Sequence, residues 1–210
     1  MIKVLITDDH PIVRQGIRQI LTECHDIVLV DEAEGGSELL EKARETHYDV
    51  ILLDISMPGK SGLDLLKDIK VMCPDTAVLI LSVHPEAQYA IRALKSGASG
   101  YLPKSTLPTE LITAVRRAAA GKKYITSSLA EILATDFEQP DEKPIYQSLS
   151  DREFDVLCQL ASGKSIKEIG ENLSLSAKTI STYRERILEK LSLKTTADII
   201  RFAIQEGLVD

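Results

Sequence analysis

Three aspartates follow short apolar runs within the first 54 residues of the chain. Asp8 and Asp9 come after the run Val4–Ile6, and Asp54 ends the run that begins at Val50. Carboxylates held close together repel one another, and burial raises their pKa values unless a cation joins them. Mg²⁺, which takes carboxylate, carbonyl and water oxygens as ligands, meets that need. The three aspartates therefore predict a Mg²⁺ site, provided that the fold brings them together.

Two further polar residues could serve the same site. A carboxylate such as Asp54, presented beside a metal ion, can act as a nucleophile toward a phosphoryl group and form an acyl phosphate. Lys104 would offer an ammonium to the transferred group, and Ser82 a hydroxyl. A single aspartate after a strand is more often a turn former or a helix cap, so the prediction depends on all five positions meeting. Neither GxGxxG nor GxxxxGK followed by Ser or Thr occurs, which disfavours nucleotide sites built on those loops.

The five positions meet if residues 1–121 form a doubly wound α/β sheet. This region alternates short apolar runs with stretches whose apolar residues recur every three or four positions. Such alternation is typical of a parallel sheet with helices on both faces, where ligands bind beyond the carboxyl ends of the strands. The predicted strands are Lys3–Thr7, Ile27–Glu32, Val50–Asp54, Ala77–Ser82 and Gly100–Leu102. The predicted helices are Pro11–Glu23, Ser37–His47, Gly62–Met72, Glu86–Ser96 and Pro108–Ala120.

A linker and a second domain are predicted after this sheet. Residues 122–147 form the predicted linker, with a short helix near Ser127–Thr135 and then a stretch from Asp136 with two prolines, five charges and no periodicity. For residues 148–210 we expect a small all-α domain of four helices. Ser150, with Glu three residues later, has the spacing of a capping box at the start of the first of these helices.

Two closely spaced helices of the second domain carry a local positive charge. The predicted helices Ile166–Leu173 and Ala177–Leu191 are separated by three residues, which is helix-turn-helix spacing. Residues 176–194 hold five Lys or Arg against two Glu, although the whole chain has a net charge of −7. A polar, cationic helix face suits the major groove of DNA. An ordinary amphipathic helix with ion pairs such as Arg186 to Glu189 would account for the same composition.

The motifs of the first region resemble the receiver domain of two-component response regulators. They are DDH after the first strand, LLDISMPGKSG at the third, ILS at the fourth and GYLPK at the fifth. The resemblance covers about residues 2–121 and implies a flavodoxin-like five-stranded sheet of order 2-1-3-4-5. It also implies that Asp54 is the phosphoacceptor and a metal ligand, that Asp9 binds Mg²⁺ directly, and that Asp8 holds a water on the ion.

The same resemblance implies roles for further residues. Ser56 matches the residue whose backbone carbonyl binds the metal. Ser82 and Tyr101 match a switch pair whose hydroxyl and ring reorient on phosphorylation, and Lys104 matches the lysine that forms a salt bridge in the site. Ser56 and His84 also occupy positions that tune the lifetime of the phosphoryl group.

Residues 148–208 resemble the LuxR-type DNA-binding domain of the NarL/FixJ subfamily of response regulators. The segment LSDREFDVLCQLASGKSIKEIGENLSLSAKTISTYRERILEKLSLKTTADIIRFA carries this resemblance. It implies base contacts from Ser181, Thr182 and Glu185, although Glu185 also fits a pairing role inside the domain. The residues implied to lie near the DNA backbone are Lys178, Thr179, Tyr183, Arg184 and Arg186.

Together the two resemblances predict a transcription regulator and not an enzyme. We expect a cognate sensor histidine kinase to phosphorylate Asp54 with Mg²⁺, and phosphorylation to control homodimerisation and sequence-specific binding to double-stranded promoter DNA. Two alternatives stay open: a receiver-like DNA-binding regulator that works without phosphorylation, and a Mg²⁺-dependent phosphotransferase or phosphatase. Such an enzyme usually carries a second carboxylate two residues after its nucleophile, where this chain has Ser56. No apolar run reaches the roughly 18 residues of a membrane span, so we expect a cytoplasmic protein without a membrane partner.

Overall fold

Five short apolar runs form one parallel sheet in the computed structural model, which describes residues 1–83, 86–138 and 144–209. The strands are β1 (Ile2–Thr7), β2 (Ile27–Ala33), β3 (Val50–Asp54), β4 (Ala77–Ser82) and β5 (Gly100–Pro103). They lie in the order β2-β1-β3-β4-β5, and each neighbouring pair is parallel. The predicted doubly wound sheet of order 2-1-3-4-5 is therefore confirmed.

Helices cover both faces of the sheet. They are α1 (Pro11–Thr22), α2 (Gly36–Glu45), α3 (Gly62–Met72), α4 (Glu86–Lys95) and α5 (Pro108–Ala119). Because alternate residues of a strand point to opposite faces, a strand covered on both faces is buried throughout, as β3 and β4 are. On one face, Leu21 of α1 and Val115 of α5 share a buried cluster with Val4 and Ile6 of β1. The opposite face carries the other three helices, among which α3 contacts both α2 and α4.

A sixth helix, α6 (Ser127–Glu138), follows this unit. It extends three residues beyond the predicted short helix, into the stretch from Asp136 that we expected to lack structure. No proline or glycine interrupts the helix before Pro140, and a residue that precedes proline disfavours helical backbone. A 3-10 turn also forms at Ile145–Ser148. The chain divides into two compact units, Met1–Ala134 and Thr135–Asp210, so the start of α6 belongs to the first unit.

The second unit contains four further helices, as predicted. They are α7 (Asp151–Ala161), α8 (Ile166–Leu173), α9 (Ala177–Lys190) and α10 (Thr196–Gln205). Each begins where a hydroxyl side chain accepts a hydrogen bond from the backbone N–H three residues later, which satisfies a donor that the helix leaves unpaired. These N-cap residues are Ser150, Ser165, Ser176 and Thr195. The predicted capping box is confirmed, since the Ser150 N–H in turn donates to Oε2 of Glu153 at 2.7 Å.

The turn between α8 and α9 is unusually close to α8. A β-carbon on Gly170 would lie 2.7 Å from the carbonyl oxygen of Leu175. The Leu175 N–H donates to the carbonyl of Gly170 at 2.8 Å, which holds the turn in this place. Glycine is therefore the residue that lets the two helices approach. Among the described residues, no helix is long and apolar enough to span a membrane.

Candidate functional site

The carboxyl ends of the strands bring the polar positions of the first unit together. β1 pairs with β3, β3 with β4, and β4 with β5, so side chains that follow these four strands face one edge of the sheet. One ligand atom from each of Asp8, Asp9, His10 and Asp54 lies within 4.8 Å of the others. Asp8 and Asp54 are fully buried, whereas 28% of the Asp9 side chain is exposed. Solvent therefore reaches this pocket on the side of Asp9.

Lys104 bridges the two buried carboxylates. Its Nζ lies 2.7 Å from Oδ2 of Asp8 and 2.7 Å from Oδ2 of Asp54. The Lys104 N–H donates to the carbonyl of Ser82 at 2.8 Å, which fixes the chain after β5 against the end of β4. The other oxygen of Asp54, Oδ1, accepts a hydrogen bond from the Ser56 N–H at 2.9 Å. Both oxygens of Asp54 are thus held in defined directions.

Burial and ion pairing oppose each other in setting the pKa values of Asp54 and Lys104. Burial raises the pKa of the Asp54 carboxyl, and the hydrogen bond and charge of Lys104 oppose that shift without cancelling it. Burial alone would lower the pKa of the Lys104 ammonium, but its hydrogen bonds to Asp54 and Asp8 outweigh burial and raise it. Lys104 is therefore cationic, and one ammonium is shared between two buried carboxylates.

The pocket has an excess of negative charge that suits a divalent cation. Asp8, Asp9 and Asp54 supply three carboxylates against the single ammonium of Lys104. Oδ1 of Asp9 is buried, and the ring Nδ1 of His10 lies 2.9 Å from it. Hard divalent cations bind carboxylate oxygens of this kind and offset their repulsion. The donor set therefore fits Mg²⁺.

His10 is a neighbour of this pocket to which the sequence assigned no role. Its N–H donates to Oδ1 of Asp8 at 2.8 Å, and its ring Nδ1 lies 2.9 Å from Oδ1 of Asp9. His10 is the N-cap residue of α1, because Pro11 begins that helix directly after it. The sequence could have placed His10 beside the end of β1, since a proline that starts a helix just after a strand leaves the intervening residue there, but it could not have predicted the contacts of His10.

The remaining receiver positions lie around the same edge. Ser82 and Tyr101 are fully buried on the adjacent strands β4 and β5, where Tyr101 is paired with Ile80. Ser56 is half-buried and contacts Asp54 through its backbone N–H. His84 lies outside the described residues. The structure thus places the predicted phosphoacceptor, metal ligands, lysine and Ser82 at neighbouring strand ends, and Tyr101 within β5 beside them.

In the second unit, α9 presents a polar stripe to solvent. Lys178, Thr182 and Glu185 are exposed and follow one another at four- and three-residue spacing, with Arg186 exposed beside them. Ser181 is half-buried at the edge of this stripe. The opposite face is apolar, with residues such as Ile180 and Ile187 fully buried. The helix therefore docks on its own domain through one face and leaves the other free for a partner.

Two other predicted DNA-contact residues have roles inside the domain. Thr179 donates its backbone N–H to Oγ of Ser176 at 3.1 Å and so belongs to the cap of α9. Arg184 donates from Nε to Oγ1 of Thr196 at 2.7 Å, which ties α9 to the start of α10. Tyr183 is half-buried.

Ion pairs between two residues of α9 are not formed in the described part of the chain. There, neither Arg186 nor Glu189 takes part in a salt bridge. Lys190 pairs with Oε2 of Glu153 in α7 at 2.6 Å, which is a contact between helices. Among the described residues, Glu185 is likewise without an ion pair. The interpretation of α9 as a helix with internal charge pairing is therefore not supported.

Comparison with known proteins agrees with both halves of this description. The family model for the response regulator receiver domain matches residues 4–116, and the model for bacterial regulatory proteins of the luxR family matches residues 147–203. The chain is 37% identical over 210 residues to the response regulator UvrY of Escherichia coli K12, an alignment that covers 99% of this chain and 96% of UvrY. It is 36% identical over 211 residues to the response regulator GacA of Pseudomonas aeruginosa, with coverage of 100% and 99%.

A solved structure extends the likeness to the fold. RcsB from Salmonella enterica serovar Typhimurium, bound to promoter rprA in the presence of the phosphomimetic BeF3⁻, is 27% identical to this chain with a TM-score of 0.67. That alignment covers 96% of this chain and 97% of RcsB. The chain therefore belongs to the NarL/FixJ family of two-component response regulators, with a receiver domain followed by a LuxR-type DNA-binding domain.

Proposed function

We propose that a cognate sensor histidine kinase phosphorylates this response regulator on Asp54 with Mg²⁺, and that phosphorylation controls its dimerisation and its binding to promoter DNA. The observation that carries the proposal is the shared contact of Lys104, whose Nζ lies 2.7 Å from both Asp8 and Asp54. The three carboxylates of Asp8, Asp9 and Asp54 exceed the single ammonium of Lys104 in charge, and the partly exposed Asp9 is the ligand that solvent reaches. We further propose a domain division at residues 1–121, 122–147 and 148–210.

The chemistry at Asp54 is an in-line transfer. One carboxylate oxygen of Asp54 forms a bond to phosphorus while the bond from phosphorus to the imidazole nitrogen of the phosphohistidine breaks, and the freed imidazole takes up a proton from solvent. Oδ1 is held by the Ser56 N–H and Oδ2 by Lys104. We assign the attack to Oδ2, because Lys104 can shift its contact from this oxygen to the arriving phosphoryl group. Lys104 then pairs with the transferred group, as a charge aimed at developing phosphoryl oxygens does. Mg²⁺ held by Asp8, Asp9, Asp54 and the Ser56 carbonyl would supply the positive charge that the pocket lacks.

Phosphorylation then acts through two buried residues on β4 and β5, the strands next to the site. Ser82 contributes the hydroxyl at the end of β4, and Tyr101 the ring on β5; both are fully buried, so a new phosphoryl group there requires local rearrangement. Such a charge change at a packed site is a common origin of two-state switching. We propose that this rearrangement releases or pairs the DNA-binding domains.

DNA recognition is assigned to the exposed stripe of α9. Ser181, Thr182 and Glu185 are proposed to face bases, and the five neighbouring residues named for the DNA backbone are proposed to lie near phosphates. Two helix-turn-helix units related by two-fold symmetry read a two-fold site, which makes a homodimer the expected DNA-bound form. RcsB, which is bound to promoter DNA in the presence of a phosphomimetic, supports DNA binding by the phosphorylated protein by analogy.

The test is phosphorylation of the full chain by acetyl phosphate and Mg²⁺, followed by intact-mass measurement and by hydroxylamine treatment, which cleaves acyl phosphates. We expect one phosphoryl group on the wild type, none on Asp54→Asn, and a normal level on the control Asp64→Asn, whose side chain pairs with Lys67 within α3. A phosphoryl group that persists in Asp54→Asn would contradict the assignment. Failure of all three proteins to be labelled would favour a regulator that works without phosphorylation.

A further inference from the structure

A second buried cation lies next to the carboxylate pocket. Arg14, in the second turn of α1, is 7% exposed. Its Nη1 donates to the backbone carbonyl oxygen of Asp8 at 2.8 Å. Its Nη2 donates to Oε1 of Glu34 at 2.5 Å, and its Nε lies 3.5 Å from Oε2 of Glu32. One guanidinium therefore connects α1, the end of β1 and the chain at the end of β2.

Arg14 and Lys104 contact different groups of Asp8. Lys104 points its ammonium at carboxylate oxygens, whereas Arg14 contacts Asp8 through the main chain. Arginine stays charged at every pH that a protein survives, and a buried guanidinium is tolerated only when it is paired. Glu32 and Glu34 supply that pairing from outside the pocket. Arg14 therefore does not neutralise the carboxylate cluster directly.

The carbonyl that Arg14 holds belongs to the peptide unit between Asp8 and Asp9. Because the peptide group is planar, fixing its oxygen fixes the plane from which the Asp9 side chain departs. The Asp8 N–H is held as well, since it donates to the carbonyl of Ala33 at 3.2 Å. The main chain of Asp8 is thus fixed on both sides. The half-exposed Asp9 carboxylate takes its direction from this fixed peptide.

We infer that Arg14 is a positioning residue for the divalent-cation site: its bond to the Asp8 carbonyl orients the Asp9 carboxylate toward the ion. This inference rests on the proposed function, because it concerns the same Mg²⁺ site. Partners that orient metal ligands typically contribute roughly 10–100-fold to metal affinity. Loss of the Arg14 bond is therefore expected to weaken Mg²⁺ binding without removing any ligand.

The experiment measures Mg²⁺ binding to the unphosphorylated full chain by isothermal titration calorimetry, together with urea unfolding. The variants are Arg14→Met, which removes the donors, and Arg14→Lys, which keeps the charge but not the forked geometry. The matched control is Arg18→Met, because Arg18 pairs with the same Glu32 at 2.6 Å but does not contact Asp8. We expect Arg14→Met to bind Mg²⁺ about tenfold more weakly, Arg14→Lys to fall between it and the wild type, and Arg18→Met to match the wild type.

The outcomes separate this inference from the proposed function. Wild-type affinity in both Arg14 variants, or an equal loss in Arg18→Met, would overturn the positioning role. If Arg14→Met does not unfold cooperatively, Arg14→Lys alone decides. Mg²⁺ binding by the wild type that Asp9→Asn leaves unchanged would overturn the proposed metal site, and the inference with it.

Discussion

At the scale of single residues, the pocket works by sharing one lysine between two buried carboxylates. The sequence was sufficient to predict Asp8, Asp9, Asp54 and Lys104 as neighbours, because each ends or follows a predicted strand and parallel strands end at one edge. The contacts of His10 and Arg14 could not be predicted in the same way. Both depend on the orientation of α1 above β1 and on the path of the chain after β2, which are tertiary facts.

Glu153 gives a prediction about pH and stability. Burial alone would raise the pKa of its carboxyl, but its bonds to Lys190 and Ser150 outweigh burial and lower it. A carboxyl with a lowered pKa in the folded state stabilises the protein above its unfolded pKa, about 4.3, and loses that contribution as pH falls through the folded value. We expect Glu153→Gln to lower the free energy of unfolding by about 1–2 kcal/mol near neutral pH.

Urea unfolding of the full chain, followed by circular dichroism at several pH values, checks this expectation. The difference between wild type and Glu153→Gln should shrink as pH falls below about 4.3. Glu189→Gln on α9 serves as the control, because Glu189 is exposed and has no ion pair among the described residues. A difference between wild type and Glu153→Gln that is the same at acid and neutral pH would show that the pair with Lys190 contributes no pH-linked stability.

At the scale of elements, strand and helix bounds followed closely from hydrophobic periodicity and caps. β3, β4, α3 and α8 have the bounds that the sequence predicts. The extent of α6 was predicted too short, because the polar stretch from Asp136 has no periodicity, yet helical backbone continues until a proline is near. Periodicity reports burial of one face, so it does not mark a helical segment in which apolar residues fail to recur at helical spacing.

The polar stripe of α9 predicts how DNA binding responds to salt. If Lys178 and Arg186 each neutralise one phosphate, Lys178→Ala with Arg186→Ala should weaken binding across all sequences. The slope of log affinity against log salt should fall in magnitude by about 2. Fluorescence anisotropy with a labelled duplex over a series of salt concentrations measures both quantities. The control Lys67→Ala with Lys122→Ala removes the same charge from exposed positions of the first unit and should leave the slope unchanged. Equal slopes in all three proteins would show that α9 does not contact the DNA backbone.

At the scale of the whole molecule, the chain combines a receiver domain that holds a carboxylate pocket with a LuxR-type DNA-binding domain, in separate units. The order of these units and the class of each could be predicted from motif spacing, because DDH, LLDISMPG and GYLPK fall at defined strand ends and the helix-turn-helix pattern at defined caps. The link between the two sites is not contained in such patterns. In the proposed switch it depends on how the buried residues Ser82 and Tyr101 respond to a new charge beside them.

The most direct test compares the affinity of the protein for DNA with and without a phosphoryl group on Asp54. A duplex selected from random DNA by the phosphorylated protein serves as the ligand, and binding is measured with acetyl phosphate and Mg²⁺ for the wild type and for Asp54→Asn. We expect phosphorylation to strengthen wild-type binding to a two-fold site and to produce a dimer on DNA, while Asp54→Asn shows neither change. Equal affinity of the fully phosphorylated and unphosphorylated wild type would contradict this expectation.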